Sequence, residues 1–362
     1  MIRSTKALGR RAFIGGLLAA PIVAACGGGD DEEAASSTTA TTVPGVPPPP
    51  PPPPTFPLTG VLIDDPARAA RPAVVVKISN GDGGRASLRS RPQAGINAAD
   101  VVVEELTEGS VTRFACIFHS IDADPVGPVR SVRTTDIDVV ASLGRPLFSY
   151  SGGNDGTLAE LRAADRVVDV GFDAASGAYR RTGDRVAPEN LLSSTGALYA
   201  AAPGQGTPPP PWFSYRADPA APPGTGARPV AGVGIVFGDG PGSAPVDYAW
   251  DPAIGGWARN QRGTPHLDEA GTLVAPPNVV VQFVDYNDTG GTDSIGTPVL
   301  KAVLVGEGTA WVLTAGQVVE GRWVRPDPFV PTAFLAPDGT AIGLTPGRTW
   351  LALAPPGSGA LR

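Results

Sequence analysis

The sequence predicts an α+β protein, in which a mixed α/β amino-terminal domain is followed by a mostly antiparallel β domain. Three observations predict it. Before residue 203, β-branched and aromatic runs alternate with segments of helical length and spacing. Beyond residue 230 the helical pattern stops, and short strand-like runs recur roughly every ten residues between Gly and Asp turns. Between the two lies a Pro- and Gly-rich stretch with four consecutive prolines, Pro208–Pro211. With 42% hydrophobic and 17% charged residues in 362, the chain is too apolar to be disordered and leaves room for two domains.

The first element is a leader, 1–25. Arg3, Lys6, Arg10 and Arg11 form a basic start, Phe13 to Ala25 an apolar centre, and Val23-Ala24-Ala25-Cys26 ends it in small residues before a cysteine. That is the layout of a secretory signal with a lipobox, which predicts lipidation at Cys26. The apolar run is broken by Gly15, Gly16 and Pro21, and it falls short of the roughly 20 residues needed to span a bilayer. Arg10-Arg11-Ala12-Phe13-Ile14 also resembles a twin-arginine export signal. The expected place is therefore the extracytoplasmic face of the bacterial cytoplasmic membrane. Residues 26–57 read as a lipidated, disordered stalk, because Gly, acidic and Ser/Thr residues and then Pro47–Pro54 cannot bury a core. Eight prolines in polyproline II extend roughly 25 Å.

In 58–202, strands are predicted at Ala73–Ile78, Val101–Leu106, Val111–Phe118 and Leu147–Ser151, and helices at Thr134–Leu143, Gly156–Ala164 and Glu189–Ala202. Pro188 stands where a first helical turn tolerates proline. The stretch 203–229 reads as a linker or long loop whose Trp212, Phe213 and Tyr215 dock on a domain. In 230–354, strands are predicted at Gly234–Phe237, Val246–Trp250, Val279–Tyr286, Val299–Val305, Ala310–Thr314, Val318–Val324 and Thr349–Leu353, as a small barrel or sandwich. A tail, 355–362, follows.

Several stretches carry a resemblance. They are Arg91-Pro92-Gln93-Ala94-Gly95-Ile96-Asn97-Ala98-Ala99-Asp100, Glu104-Glu105-Leu106, Glu108-Gly109, Thr112-Arg113-Phe114, Gly127-Pro128-Val129-Arg130-Ser131-Val132-Arg133, Asp136 and Tyr150-Ser151-Gly152-Gly153-Asn154. With Asn278-Val279-Val280-Val281-Gln282-Phe283, Gly321-Arg322-Trp323 and Pro346-Gly347-Arg348-Thr349-Trp350, they make the chain, from about residue 58 to 354, similar to the YerB-like lipoproteins of bacterial envelopes. The resemblance implies a two-part architecture and an envelope location, and it assigns no reaction. The proline-only spacer is not part of that family's pattern.

Charge and residue counts exclude several functions. Removing the leader takes four cations and no acid from a net charge of −7 and leaves −11, so no nucleic acid is expected as partner. Only Cys26 and Cys116 exist; neither a disulfide framework nor a Cys-type zinc site can form within one chain, and Cys116 reads as a small buried hydrophobe. His119 and His266 are the only histidines, read as a strand-end and a turn residue, and no Gly-x-Ser-x-Gly elbow surrounds a serine. No cofactor motif and no metal cluster is expected; an oxygen-rich loop, Asp285, Asn287, Asp288 and Asp293, lacks the fixed spacing of a calcium site. Trp250, Trp257, Trp311, Trp323 and Trp350 read as core, with a sugar-stacking platform as the alternative.

The polar residues that remain cluster in one stretch. Glu104 and Glu108 bracket a hairpin turned by Gly109-Ser110, with Arg113 on the return strand. Gly127-Pro128 then presents Arg130 and Arg133, and Thr134-Thr135-Asp136 caps a helix start. If Arg113, Arg130 and Arg133 converge, their planar forks can hold a carboxylate or phosphate, with Ser151 and Asn154 at a neighbouring helix start. This predicts binding of an anionic wall component or a partner protein. Glu104, Glu105 and Asp136 can instead pair with the arginines as a structural network. A third reading, a wall-polymer hydrolase, would use Glu104, Glu108 or Asp136, two of them facing across a sugar.

Overall fold

The fold is described by a computed structural model in which residues 53–81, 90–240, 242–293 and 296–362 are described. The leader, Cys26, the twin-arginine motif and nearly all of the stalk lie outside the described residues. Within them the α+β class is borne out.

Segment 58–202 contains α1 (Pro66–Ala69), β1 (Val74–Ser79), β2 (Val101–Leu106), β3 (Thr112–Phe118), α2 (Thr134–Val140), β4 (Leu147–Ser149), α3 (Asp155–Ala164), β5 (Val168–Asp169), β6 (Arg180–Arg181), β7 (Leu191–Leu192) and α4 (Thr195–Ala201). β1 and β2 open on β-branched runs and β3 mixes β-branched with aromatic residues, and all three are covered on both faces. The β2–β3 hairpin turns through Gly109, whose φ of 71° suits glycine. α3 starts where Asn154 Oδ1 accepts from Thr157 N at 2.7 Å. The helix expected over 189–202 begins only at Thr195, because Leu191–Leu192 pair with Arg180–Arg181 as strands.

The stretch 203–229 holds β8 (Ser214–Tyr215) and β9 (Arg228–Pro229). Trp212 is buried and donates Nε1 to Ser142 O at 3.1 Å, and Phe213 stacks on Phe334. Then come β10 (Gly232–Ile235), β11 (Val246–Asp251), β12 (Gly256–Gln261), β13 (Thr264–Pro265), β14 (Asn278–Phe283), β15 (Tyr286–Thr292), β16 (Pro298–Ala302), β17 (Gly306–Thr314), β18 (Gln317–Arg325), β19 (Ala333–Leu335), β20 (Gly343–Leu344), β21 (Thr349–Ala354) and β22 (Gly359–Leu361).

These strands do not close into the barrel or sandwich expected of residues 230–354 alone. An eleven-stranded sheet runs β19-β18-β17-β14-β21-β2-β3-β1-β4-β5, with β9 on β18, and so takes strands from both segments. The seam is β21, parallel to β14 on one side and to β2 on the other. Its six residues, TWLALA, are all buried, as a strand flanked and covered on both faces requires. A second, five-stranded antiparallel sheet, β13-β12-β11-β10-β22, packs Tyr248, Trp257 and Val233 into the core that Phe114, Cys116 and Trp350 share. On the other face, Ile137, Val140 and Leu161 of α2 and α3 join Val75, Val103, Ala115 and Ile117. Residues Pro52–Arg362 form one compact unit, and Phe56 is already buried in it.

Candidate functional site

Alternation along a strand decides which carboxylate goes where. Successive residues point to opposite faces, so Glu104 and Glu105 on β2 part company. Across the hairpin, Glu105 lies opposite Arg113, and Arg113 lies opposite Ser79 of β1. Lys77, two residues before Ser79, therefore shares the face of Glu105 and Arg113.

On the other face, Glu104 is fully enclosed. Arg259 Nη2 donates to its two oxygens at 2.9 and 3.1 Å, and Trp350 Nε1, Thr112 Oγ1 and Tyr248 OH donate at 2.9, 2.8 and 3.3 Å. Arg259 Nη1 also meets His266 Nδ1 at 2.7 Å. A guanidinium only donates, so Nδ1 accepts and the ring proton sits on Nε2, donated to Gln93 Oε1 at 2.7 Å. Burial, then the Arg259 and Arg91 charges, hold His266 well below its usual value. His266, expected in a turn, is thus a buried neutral member of this network. Its neighbour is a guanidinium 155 residues from Glu104, a pairing local sequence could not supply.

On the first face, Lys77 is enclosed and pairs with Glu105 and, at 2.7 Å, with Asp136 of α2. Asp136 also accepts from Arg133 N at 2.7 Å, which joins this buried triad to the cleft above it. Burial, then the like charge of Asp136, raise Glu105 to about 7 against the opposing pull of Lys77. Glu105 Oε2 is enclosed without a hydrogen-bond partner.

A cleft of about 550 Å³ opens over this triad, lined by Glu108, Arg113, Arg130, Ser131, Arg133, Gly153, Asn154, Asp155, Thr292 and Asp293. The three arginines expected to converge do so, and they differ in how they are engaged. Arg133 Nε donates to Glu108 Oε2 at 2.8 Å. Arg130 lies 3.5 Å from Glu189 without a hydrogen bond at its enclosed Nε. Arg113, half-buried, has no carboxylate within ion-pair distance among the described residues. Its Nη1 reaches Ser131 O at 3.4 Å, while Nε and Nη2, neither of them an enclosed orphan, open to the cleft. Burial and the adjacent Arg133 and Arg130 push Arg113 down to about 9.

The other expected residues fall out as follows. Asn154 lines the cleft, with Oδ1 committed to the helix start. Ser151 holds the floor by donating its N–H to Arg130 O at 2.9 Å, outside the lining. Of the three carboxylates expected for hydrolysis, only Glu108 reaches the cleft, because Glu104 and Asp136 are closed off in the two networks. Trp257, Trp323 and Trp350 are core residues, and Cys116 is fully buried. His119 directly follows β3, buried, with Nε2 at 3.1 Å from Arg71 O. Among the described residues no three His, Cys, Asp or Glu converge on a metal site; in the oxygen-rich loop, Asp288 and Asp293 accept from Gly290 N and Thr297 N. Sequence reading missed Lys77 and Glu189. A lysine amid Val74–Ile78 was the available signal for the first, since a cation in a two-face-buried strand must meet a carboxylate. Among the described residues no helix is long and apolar enough to cross a membrane.

A family model for the amino-terminal domain of a protein of unknown function, DUF3048, matches residues 58–208, and one for its carboxy-terminal domain matches residues 236–351. The sequence is 28% identical over 309 residues to YerB, a candidate lipoprotein of Bacillus subtilis (strain 168), covering 83% of this chain and 86% of YerB. The fold is similar to the crystal structure of YerB protein from Bacillus subtilis, with a TM-score of 0.70, 24% identity, and coverage of 85% of this chain and 99% of that one.

Proposed function

The chain belongs to the DUF3048 family, and from that premise we propose that it is an exported lipoprotein, held at the extracytoplasmic face of the membrane by acylated Cys26, whose cleft binds an anionic group of a wall component or partner protein. The leader and lipobox support the anchor, as does the lipoprotein description of the relative YerB. The twin-arginine motif supports export of an already folded chain.

The observation that carries the binding reading is Arg113. Its Nε and Nη2 form the edge of the guanidinium that grips a carboxylate or phosphate by two parallel hydrogen bonds. Ser131 O steadies the opposite end, and Arg130 and Arg133 add positive potential beside it. An open, half-desolvated cation without a carboxylate partner is a seat for an anion from outside.

Retention of the unit from Pro52 onward on purified cell-wall polymer tests this. Salt-sensitive retention without release of soluble fragments, lost in Arg113→Met, is the expected result. Because Arg113 has no ion pair to lose, Arg113→Met should melt no lower than the parent. Retention unchanged in Arg113→Met would refute the site. Mass spectrometry of the envelope fraction checks the anchor: diacylglycerol on Cys26 as the first residue is expected, and an intact leader would refute it.

A further inference from the structure

Leaving aside exposed Asp155 and half-buried Asp293, the charges around the cleft balance before any ligand arrives. Lys77, Arg113, Arg130 and Arg133 stand against Glu105, Glu108, Asp136 and Glu189, and all but Arg113 are within 4 Å of an opposite charge. An anion seated on Arg113 therefore adds a charge that the cluster does not answer. Glu105 is the group placed to give one up. It lies directly across the hairpin from Arg113, it is enclosed, and Oε2 has no donor. Lys77 keeps Asp136 as its partner when Glu105 is neutral.

We propose that the cleft seats one monoanion, a carboxylate or a phosphodiester, and that Glu105 takes up one proton as it binds. The inference rests on the anion-binding reading of the cleft. A dianion would call for a second proton, and the other buried carboxylates beside the cleft are each held by a cation or a hydroxyl. Glu108 is tied to Arg133, Asp136 to Lys77, and Glu189 accepts from Ser79 Oγ at 3.1 Å. The groups facing Glu105 are Lys77 from β1, Arg113 from β3, Asp136 and Arg133 from α2 and its lead-in, and Tyr286 from β15. Burial already holds Glu105 near neutrality, so a negative ligand need move it little for the proton to be bound at physiological pH. The neutral form favours the ligand, so affinity is full below about pH 7 and falls as pH rises above it, by up to about tenfold per unit for one linked proton. Glu189, whose Oε2 is likewise enclosed without a hydrogen-bond partner, is also raised by burial and is the competing proton acceptor.

The test is a titration of the full chain in nonionic detergent, followed by the NMR signal of the Arg113 Nε–H, with acetate, dimethyl phosphate and phenyl phosphate. Acetate and dimethyl phosphate distinguish a carboxylate source from a phosphodiester one. Expected are shifts at Arg113, weakening of both monoanions between pH 7 and 8.5, and no tighter binding by phenyl phosphate at pH 8, where it is a dianion. Glu105→Gln should bind with a flat pH profile, whereas Glu189→Gln should keep the slope. Binding at Arg113 with a flat profile in the parent chain overturns the proton uptake, and a preference for the dianion overturns the monoanion seat. No shift at Arg113 with any of the three sinks the anion cleft itself.

Discussion

Replacing Glu104 by glutamine keeps the shape of the side chain and removes its charge, leaving the Arg259 guanidinium enclosed without a counter-charge. Both residues are 0% exposed, and Arg259 lies 4.7 Å over the Trp350 ring, so solvent does little to screen the loss. Breaking a buried pair from one side costs about 3–5 kcal/mol. For a unit of about 310 residues, each kcal/mol moves the melting temperature by about 1.5 °C, so Glu104→Gln should melt about 5–8 °C lower. Thermal unfolding followed by tryptophan fluorescence measures it directly, since Trp350 donates to Glu104. Anion binding at Arg113 should survive below the transition, because the substitution lies on the opposite face of β2. Glu104→Gln combined with Arg259→Met should recover part of the loss, since no charge is then left unpaired and the amide oxygen can still accept from Trp350, Thr112 or Tyr248. A loss under about 1 kcal/mol in Glu104→Gln would refute the reasoning, because a truly desolvated pair cannot be broken so cheaply.

Two further outcomes follow from buried titratable groups. His266 stays neutral in the folded state well below 6.5, whereas in the unfolded chain it takes up a proton near 6.5; the unfolded state then binds more protons, and stability present above 6.5 is lost as pH falls. Relative to His266→Gln, the parent should lose up to about 1.4 kcal/mol per pH unit below 6.5 in urea unfolding, and parallel stability curves would contradict this. Cys116 is enclosed in β3 and burial pushes its thiol up, so iodoacetamide should label the peptide containing Cys116 only after denaturation; labelling of the native chain at an equal rate would show that the core opens there.

Much of the secondary structure was legible because it is local. Val101–Leu106 and Thr112–Phe118 declare themselves by β-branched and aromatic content and by the Gly109 turn, and Asn154 marks the start of α3 as a capping residue does. The convergence of Arg113, Arg130 and Arg133 was legible too, since the hairpin and the Gly127-Pro128 turn lie close together in sequence. The split of Glu104 from Glu105 needed more than the alternation rule. The rule says that they face apart, but only the partners on each side say which one meets Arg259 and which one meets Lys77.

By itself the sequence determined the α+β order of elements, the Cys26 lipobox pattern after an apolar leader, and the local grouping of three arginines, because each depends on propensity, periodicity or residue type within a short window. Tertiary structure alone decided that β21 closes one sheet between β14 and β2, and that Glu104 is sealed by Arg259 while Glu105 sits under the cleft with Lys77. The physical reason is that strand pairing and ion pairing are satisfied in space: Arg259 and Trp350 reach Glu104 across 155 and 246 residues, distances over which composition and spacing carry no signal.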